Sequence, residues 1–372
     1  MDKRLIFRIK MKNPIDYFKT LEEPRLERCK LHSFEDILFL TISAVLSGAD
    51  NFVEIEEFGN NKREWLNTFL KLENGIPSHD TIGKLFARID VKSFEKCFID
   101  WMQSVVKLTQ GQVIAIDGKT LRGSGSATNG KKAIHMVSAF ASANQVVLGQ
   151  LACEEKSNEI TAIPALLELI IVKGCIVTID AMGCQTEIAT KIIEQKADYI
   201  LAVKDNQKKL HKEIQDLFSL HRSEQFETIE KDHGRIETRN CSILKNLKKM
   251  KTAEKWDQLK MIIRIESKRE INGKVSEETR YYISSLQTTA QAMNAHVRSH
   301  WCVENKLHWS LDVGFNEDAN RTRTDNSAEN LSIVRRVALN LLKTDKTMKV
   351  GIAAKRKAAG WNTKYLETLL NL

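Results

Sequence analysis

Two stretches of this chain share one form. In "VIAIDGK" (113–119) four apolar residues run into Asp117, and in "CIVTIDA" (175–181) a second apolar run ends on Asp180. Short, unbroken runs rich in β-branched residues suit strands covered on both faces. A carboxylate that closes such a strand gives up hydration unless a cation or a hydrogen bond meets it. Two of them point to an α/β sheet whose strand ends present acids at one edge, the edge at which such sheets bind ligands. The plainer use of either aspartate is to cap the helix that follows. Brought close, the two carboxylates would repel and raise one pKa unless a divalent cation lay between them.

The flanking pattern fits that sheet. "AIHMVSAFA" (133–141) and "QVVLGQLACE" (145–154) are β-rich and separated by a tight turn, which predicts sequential antiparallel strands after the first run. "SNEITAIPALLELIIVKG" predicts a helix capped by Ser157 or Asn158 and closed at Gly174, with Pro164 as its weak point. The strand at 175–181, the helix "TEIATKIIEQKA" and the strand "YILAVK" (199–204) then alternate, which implies parallel pairing through right-handed crossovers.

A chain of 372 residues exceeds one ordinary core, so several segments are expected. Residues 1–107 read as a helical N-terminal domain and a candidate DNA-binding module. In it "ILFLTISAVLSGA" (37–49) is a buried helix, and Ser78 caps one helix of a candidate helix-turn-helix that shows His79, Asp80, Lys84 and Arg88 outward. Residues 108–204 form the first part of a catalytic core, 205–280 a charged, β-containing insertion, 281–345 the helical second part of the core, and 346–372 a basic helical tail. In "HGRIETRN" strand spacing puts His233, Arg235, Glu237 and Arg239 on one face, which reads as a charged outer surface. "IVRRVALNLLKTDK" and "KVGIAAKRKAAG" interleave apolar and basic residues, predicting helices that cover a core with one face and offer Lys and Arg with the other.

The 57 Lys and Arg outnumber the 48 Asp and Glu, and a net charge of +9 favours a polyanionic partner. Seven cysteines with no C-x-x-C pair form neither a disulfide framework nor a zinc ribbon, and suggest a reducing cytosol. No export signal is visible at the start, and the most apolar run falls short of the roughly 18 residues that span a bilayer.

A third acid is expected from the returning helix. Glu304 lies in "HWCVENKLHWSLDV" with His300 and His308 four residues to either side on one stripe. The rival is a His, Glu, His zinc site, but helical zinc histidines stand four apart and these stand eight apart. The all-oxygen set Asp117, Asp180 and Glu304 suits Mg²⁺ or Mn²⁺. Asp312, Glu317 and Asp318, just downstream, are the alternatives for the third position. Trp301 and Trp309 are expected to pack in the core.

Several motifs occur in order: "LHSFEDILFLTISAVLSGA", "ENGIPSHDTI", "VIAIDGKTLR", "EKSNEITAIPALL", "TIDAMGCQ", "AVKDNQ", "HGRIETR", "RYYISS" and "HWCVENKLHWSLDV". Together they resemble the H-repeat-associated insertion-sequence transposases, part of the DDE group with a ribonuclease H-like core, over nearly the whole chain. The resemblance implies that Asp117, Asp180 and Glu304 are the catalytic and metal-binding triad, with two Mg²⁺ or Mn²⁺ ions as cofactors. Asp117 would bridge both ions, and Asp180 and Glu304 would each hold one. The implied partners are DNA, as terminal inverted repeats and as target, and a second copy of the chain bound on that DNA. The implied place is the cytoplasm, at the nucleoid, with no membrane involved. The implied reaction frees a 3′-OH at the element's end by hydrolysis and uses it to attack target DNA.

Related transposases have tyrosine seven and arginine four residues before the glutamate, and lysine seven after it. Here those positions hold Val297, His300 and Leu311, so Arg298, Lys306, Arg321 or Arg323 would supply the cations. Lys119 and Arg122 would meet phosphates near the scissile bond. Lys204, His233, Arg235, Arg239 and His300 complete the candidate DNA contacts. Two alternatives remain: a metal-dependent nuclease that joins nothing, and a domesticated DNA-binding protein without catalysis.

Overall fold

Ser33, Asn51, Ser78 and Asp90 each accept a hydrogen bond from the backbone N–H three residues on, and each starts a helix. The computed structural model describes residues 12–27, 30–126, 128, 130–154, 158–232 and 234–372. After a single turn, α1 (Ile15–Phe18), the N-terminal third forms α2 (Phe34–Leu46), α3 (Phe52–Asn61), the short α4 (Arg63–Leu66), α5 (His79–Arg88) and α6 (Val91–Val105). Every residue of α2 from Ile37 to Leu46 is buried, because neighbours cover it all round.

The first aspartate-ending run becomes β1 (Val113–Leu121). It pairs antiparallel with β2 (Ile134–Ala141), and β2 pairs antiparallel with β3 (Val146–Ala152). After α7 (Glu159–Leu169), β4 (Ile176–Ile179) lies parallel to β1. After α8 (Thr186–Glu194), β5 (Asp198–Val203) lies parallel to β4. Asn158 caps α7 by accepting from Ile160 N–H, and Pro164 sits inside that helix; Ser157 lies outside the described residues.

The polar segment next supplies α9 (Lys208–Leu220), β6 (Glu224–Asp232), β7 (Arg235–Leu244), β8 (Met261–Ile271) and β9 (Lys274–Ser284). These strands extend the same sheet, since β9 pairs antiparallel with β5 from Ile200↔Ser284 to Val203↔Tyr281. Among the described residues nine strands thus form one sheet, ordered β3-β2-β1-β4-β5-β9-β8-β7-β6. Its first five strands pair in the order β3-β2-β1-β4-β5, and the mixed sheet is flanked by helices. The chain returns as α10 (Ala290–His300), whose Ala290, Met293 and Val297 cover Val113, Ile176 and Ile200 together with Cys241, Ile243 and Ile263. A π-helical turn (Val303–His308) leads into α11 (Trp309–Phe315), followed by α12 (Ser327–Thr344), α13 (Ile352–Trp361) and α14 (Thr363–Leu370).

Helix α12 joins the N-terminal helices to the sheet by packing on α2, α5, α6 and β3. Its Asn340 accepts from Val147 N–H and donates to Val147 O, both at 2.9 Å, and so satisfies the outer backbone of the edge strand β3.

Four cations expected on outward faces of the tail are buried: Arg335, Arg336, Lys355 and Arg356. Arg356 donates to Val45 O and Ala49 O at 2.9 Å each and to Gly314 O, and lies over the Phe315 ring. Lys355 donates to Leu342 O at 2.8 Å and Asp345 O at 2.6 Å. These are carbonyls at the C-terminal ends of α2, α11 and α12, where unpaired oxygens and the helix dipole draw positive charge inward.

Candidate active site

Strands β1 and β4 stay in parallel register up to Ile116↔Ile179. The next residue of each, Asp117 and Asp180, therefore stands beside the other; Asp180 ends its strand as expected, whereas Asp117 lies mid-strand, because β1 stays paired with β2 as far as Leu121. Asp117 is pushed up to about 7 by burial, then by the negative charges of Asp180, Glu159 and Glu304. Asp180 is also raised, by burial first and by Glu159 next. Its Oδ1 accepts from Met182 N–H at 3.0 Å and Gly183 N–H at 3.4 Å, so it closes the turn ahead of α8 while bordering the site.

Glu304 lies on the π-helical turn, which packs against β1. Val303 and Leu307 are buried there, whereas Glu304, Asn305 and Lys306 are exposed. The wider π turn therefore holds the helix in the core and leaves the acid outside, a local form that recurs at functional sites. Among the described residues no group of three or more His, Cys, Asp or Glu side chains is drawn together as a ready metal site. The chemistry of the set still suits a hard cation. The acids offer only oxygen donors, and the like charges that raise Asp117 are those a divalent ion would offset.

The histidines of the zinc alternative go elsewhere. His300 places Nδ1 2.9 Å from Thr178 Oγ1 and is pushed down to about 4, chiefly by burial. His308 stands on the other side, with Nδ1 3.6 Å from Asp117 Oδ2. Burial and the nearby Arg336 and Lys119 hold it down at about 4, so it is neutral, and its buried Nε2 has no partner.

Lys119 is not placed to meet a phosphate. It is 8% exposed, and its Nζ lies 2.7 Å from Asp312 Oδ1, 2.6 Å from Asp318 Oδ1 and 3.9 Å from Glu317 Oε2. Glu317 is in turn ion-paired with the buried Arg336. One network thus binds all three alternatives for the third acid.

Arg239 is also inward, 8% exposed and donating to Glu237 Oε1 at 2.9 Å. Its strand face continues into Cys241 and Ile243 beneath α10, so the two-residue period carries Glu237 and Arg239 to the covered side, not to an outer surface. His233 lies outside the described residues. Arg122, Lys204, Arg235, Arg298, Lys306, Arg321 and Arg323 are exposed, although Arg122 is ion-paired with Asp318, Arg235 with Glu237 and Arg298 with Glu230. Val297 and Leu311, where related enzymes carry tyrosine and lysine, are core residues at 2% and 0% exposure.

Of the two tryptophans, Trp301 lies partly buried under the Arg280 guanidinium, 4.2 Å from the ring centroid. Trp309 is 60% exposed and does not pack in the core.

The outward residues of α5, His79, Asp80, Lys84 and Arg88, line a cleft of about 780 Å³ against the loop 316–325, which adds Arg321 and Arg323. That loop is seated directly on Gly123, where a Cβ would stand 2.0 Å from Asn320 O.

Two side chains near Asp117 escaped the sequence reading. Glu159 opens α7 and His135 lies on β2, and His135 Nε2 donates to Glu159 Oε1 at 2.6 Å. That hydrogen bond holds His135 above its ordinary range. The available signal was the cap residue Asn158, which sets Glu159 in the first turn of a helix crossing the sheet.

A family model described as "Transposase DDE domain" matches residues 108–341, and one described as "DDE_Tnp_1-associated" matches residues 15–102. The chain is 46% identical over 370 residues to YncI of Escherichia coli O157:H7, a protein named as a transposase, covering 96% of this chain and 94% of that one. It is 42% identical over 351 residues to YhhI of Escherichia coli strain K12, named as an H repeat-associated transposase, covering 91% and 92%. A looser likeness, at TM-score 0.47 and 10% identity over 96% of this chain and 77% of the other, is to a chain in a cryo-EM structure of a piggyBac transposase synaptic complex with hairpin DNA.

Proposed function

Because the chain belongs to the DDE transposase family and is a DDE-type transposase, we propose that it cuts DNA at the ends of an insertion element and joins the freed 3′-OH to target DNA. The observation that carries this reading is that Asp117 and Asp180 follow the last residue pair of the parallel strands β1 and β4, with the π turn that bears Glu304 packed on β1. Asp117, Asp180 and Glu304 would hold Mg²⁺ or Mn²⁺, two ions in the full reading. Such ions activate the attacking oxygen and stabilise the leaving one in an in-line displacement at phosphorus.

The chain's own residues do the rest. Asp117, on the central strand, is fixed by the sheet. His308, partly buried, stands beside it with Nδ1 3.6 Å from Asp117 Oδ2. Arg122, Lys204, Lys306, Arg321 and Arg323 are exposed and would position the phosphates of the strand, a role that fixes register without reading sequence; Arg122 also pairs with Asp318 and Arg323 also donates to Gly123 O. The cleft between α5 and the loop 316–325 would take DNA of the element's end. The net charge of +9 favours that association, and no helix of the described residues is long and apolar enough to cross a membrane. Two ends must meet for transposition, so a dimer on DNA in the cytoplasm, at the nucleoid, is the working form.

The test is a duplex carrying an element end, incubated with Mg²⁺ or Mn²⁺ and the parent chain or Asp117→Ala, Asp180→Ala or Glu304→Ala. Cleavage and strand-transfer products are expected from the parent and neither from the variants. Undiminished cutting in all three would reject the triad. Cutting without joined product would make the protein a nuclease.

A further inference from the structure

Trp309 opens α11 one residue after His308 and is 60% exposed. Glu304, His308 and Asp312, four apart along the π turn and α11, form the row of side chains next to β1: His308 Nδ1 lies 3.6 Å from Asp117 Oδ2, and Asp312 Oδ1 lies 2.7 Å from Lys119 Nζ. The next row, about a quarter-turn further round the helix, is Asn305, Trp309 and Val313. All three are exposed, Val313 at 57%. A single exposed apolar side chain is ordinary on a protein surface. Two on one stripe, bordering the row that lines the candidate site, form a surface that no element among the described residues covers.

Cations gather at the same place. Lys306 is exposed on the π turn three residues before Trp309, and Lys343, near the end of α12, is partly buried. Burial, then the positive charges of Lys306, Lys346 and Lys355, hold Lys343 down at about 8. Asp312 is engaged by Lys119, and Asp345 by Lys355, Thr347 and Tyr365, so neither acid offsets Lys306 or Lys343. An aromatic face flanked by cations suits a nucleic-acid strand, whose bases stack and whose phosphates are drawn to the lysines. A protein partner would have to bury those lysines, and lysine is depleted at protein interfaces.

We propose that Trp309 is a stacking platform for a base of the DNA strand held at the site of Asp117, Asp180 and Glu304, with Lys306 and Lys343 on the flanking phosphates. This rests on the reading of that site as one that acts on DNA. Within a duplex both faces of a base are covered by its neighbours, so the base that meets Trp309 is one that is unpaired or ends a strand. An indole stacks on any base, so the contact strengthens binding without choosing a sequence.

The experiment measures binding of a fluorescein-labelled single strand, and of a duplex of the same sequence, to the full-length chain by anisotropy, in EDTA so that nothing is cut. Trp309→Ala is expected to weaken single-strand binding about 5- to 150-fold, the loss of one stacked base. Its melting temperature and its slope of log affinity against log salt should stay close to the parent's. Trp309→Phe should recover most of the loss, whereas Lys306→Ala should lower the slope by about 0.7, the share of one phosphate. Parental affinity in Trp309→Ala overturns the proposal. So does weakened binding in both Trp309 variants with an equal fall in melting temperature, which would mark a structural role. If the parent sediments as a dimer without DNA and Trp309→Ala as a monomer, the surface belongs to a second copy and the platform is rejected. The two readings fail separately. If the parent binds neither probe, the DNA reading of the site fails; if the parent binds and Trp309→Ala matches it, only the platform fails.

Discussion

Lys119 Nζ stands 2.6 Å from Asp318 Oδ1, two residues beyond Asp117 on the same face of the same strand. The contact ties β1 to the loop after α11 and answers the charge of Asp312 and Glu317 as well. Lys119→Met is therefore expected to destabilise the protein by about 3 kcal/mol, the low end for breaking a buried pair, because Asp312 and Asp318 are partly exposed. Urea unfolding measures it. Unchanged stability with weaker DNA binding would return Lys119 to the role of a phosphate contact.

Gly123 meets the backbone of the same loop, with Asn320 O only 2.0 Å and Asp318 O 2.9 Å from where a Cβ would sit. No side-chain rotation relieves a clash with carbonyl oxygens. Gly123→Ala should cost about 1–3 kcal/mol by thermal or urea unfolding. It should also reduce DNA binding, because Arg323 donates to Gly123 O at 3.0 Å and shares the displaced loop with Arg321. An alanine variant with parental melting and affinity would show that the loop yields freely.

Arg321 and Arg323 line the cleft against α5 and are exposed. If they hold phosphates, Arg321→Ala and Arg323→Ala each weaken DNA binding about equally for any sequence and lower the slope of log affinity against log salt by about 1. Fluorescence anisotropy across a salt series reads this. A change confined to one DNA sequence would instead mark a base contact.

Glu95 on α6 is fully buried, with Oε1 accepting from Gln150 N–H at 2.9 Å, and burial pushes it up to about 8. The folded chain thus binds a proton that the unfolded chain releases near 4.5. The stability linked to this group is complete below 4.5 and is lost as pH rises to about 8, by up to about 1.4 kcal/mol per pH unit. Glu95→Gln should flatten the fall in stability between those values and raise the melting temperature at pH 8. The same slope in parent and variant would place the ionising group elsewhere.

Much of the sheet was legible because its signals are local. Apolar runs, tight turns and helix caps lie within a few residues of one another, so β1 to β5, the cap at Ser78 and the positions of Asp117 and Asp180 follow from neighbours in sequence. The continuation of the sheet through β9 was less legible, since its pairing with β5 joins residues about eighty apart. Glu159 was missed because nothing in "SNEITAIPALL" says which strand the helix will lie against.

The chain's own order of residues determined the strands, the caps and which side chains share a face, since backbone geometry sets periods of 2 and 3.6 wherever an element forms. Only the tertiary structure decided which faces are covered. Arg356 is buried because Val45 O and Ala49 O, some three hundred residues away, end a helix beside it, and Arg239 turns inward because α10 closes over its strand. Trp309 stays exposed because no element among the described residues covers its side of α11. A cation or an aromatic ring has no fixed place until the elements around it present either carbonyl oxygens and carboxylates or water, and those partners come from distant parts of the sequence.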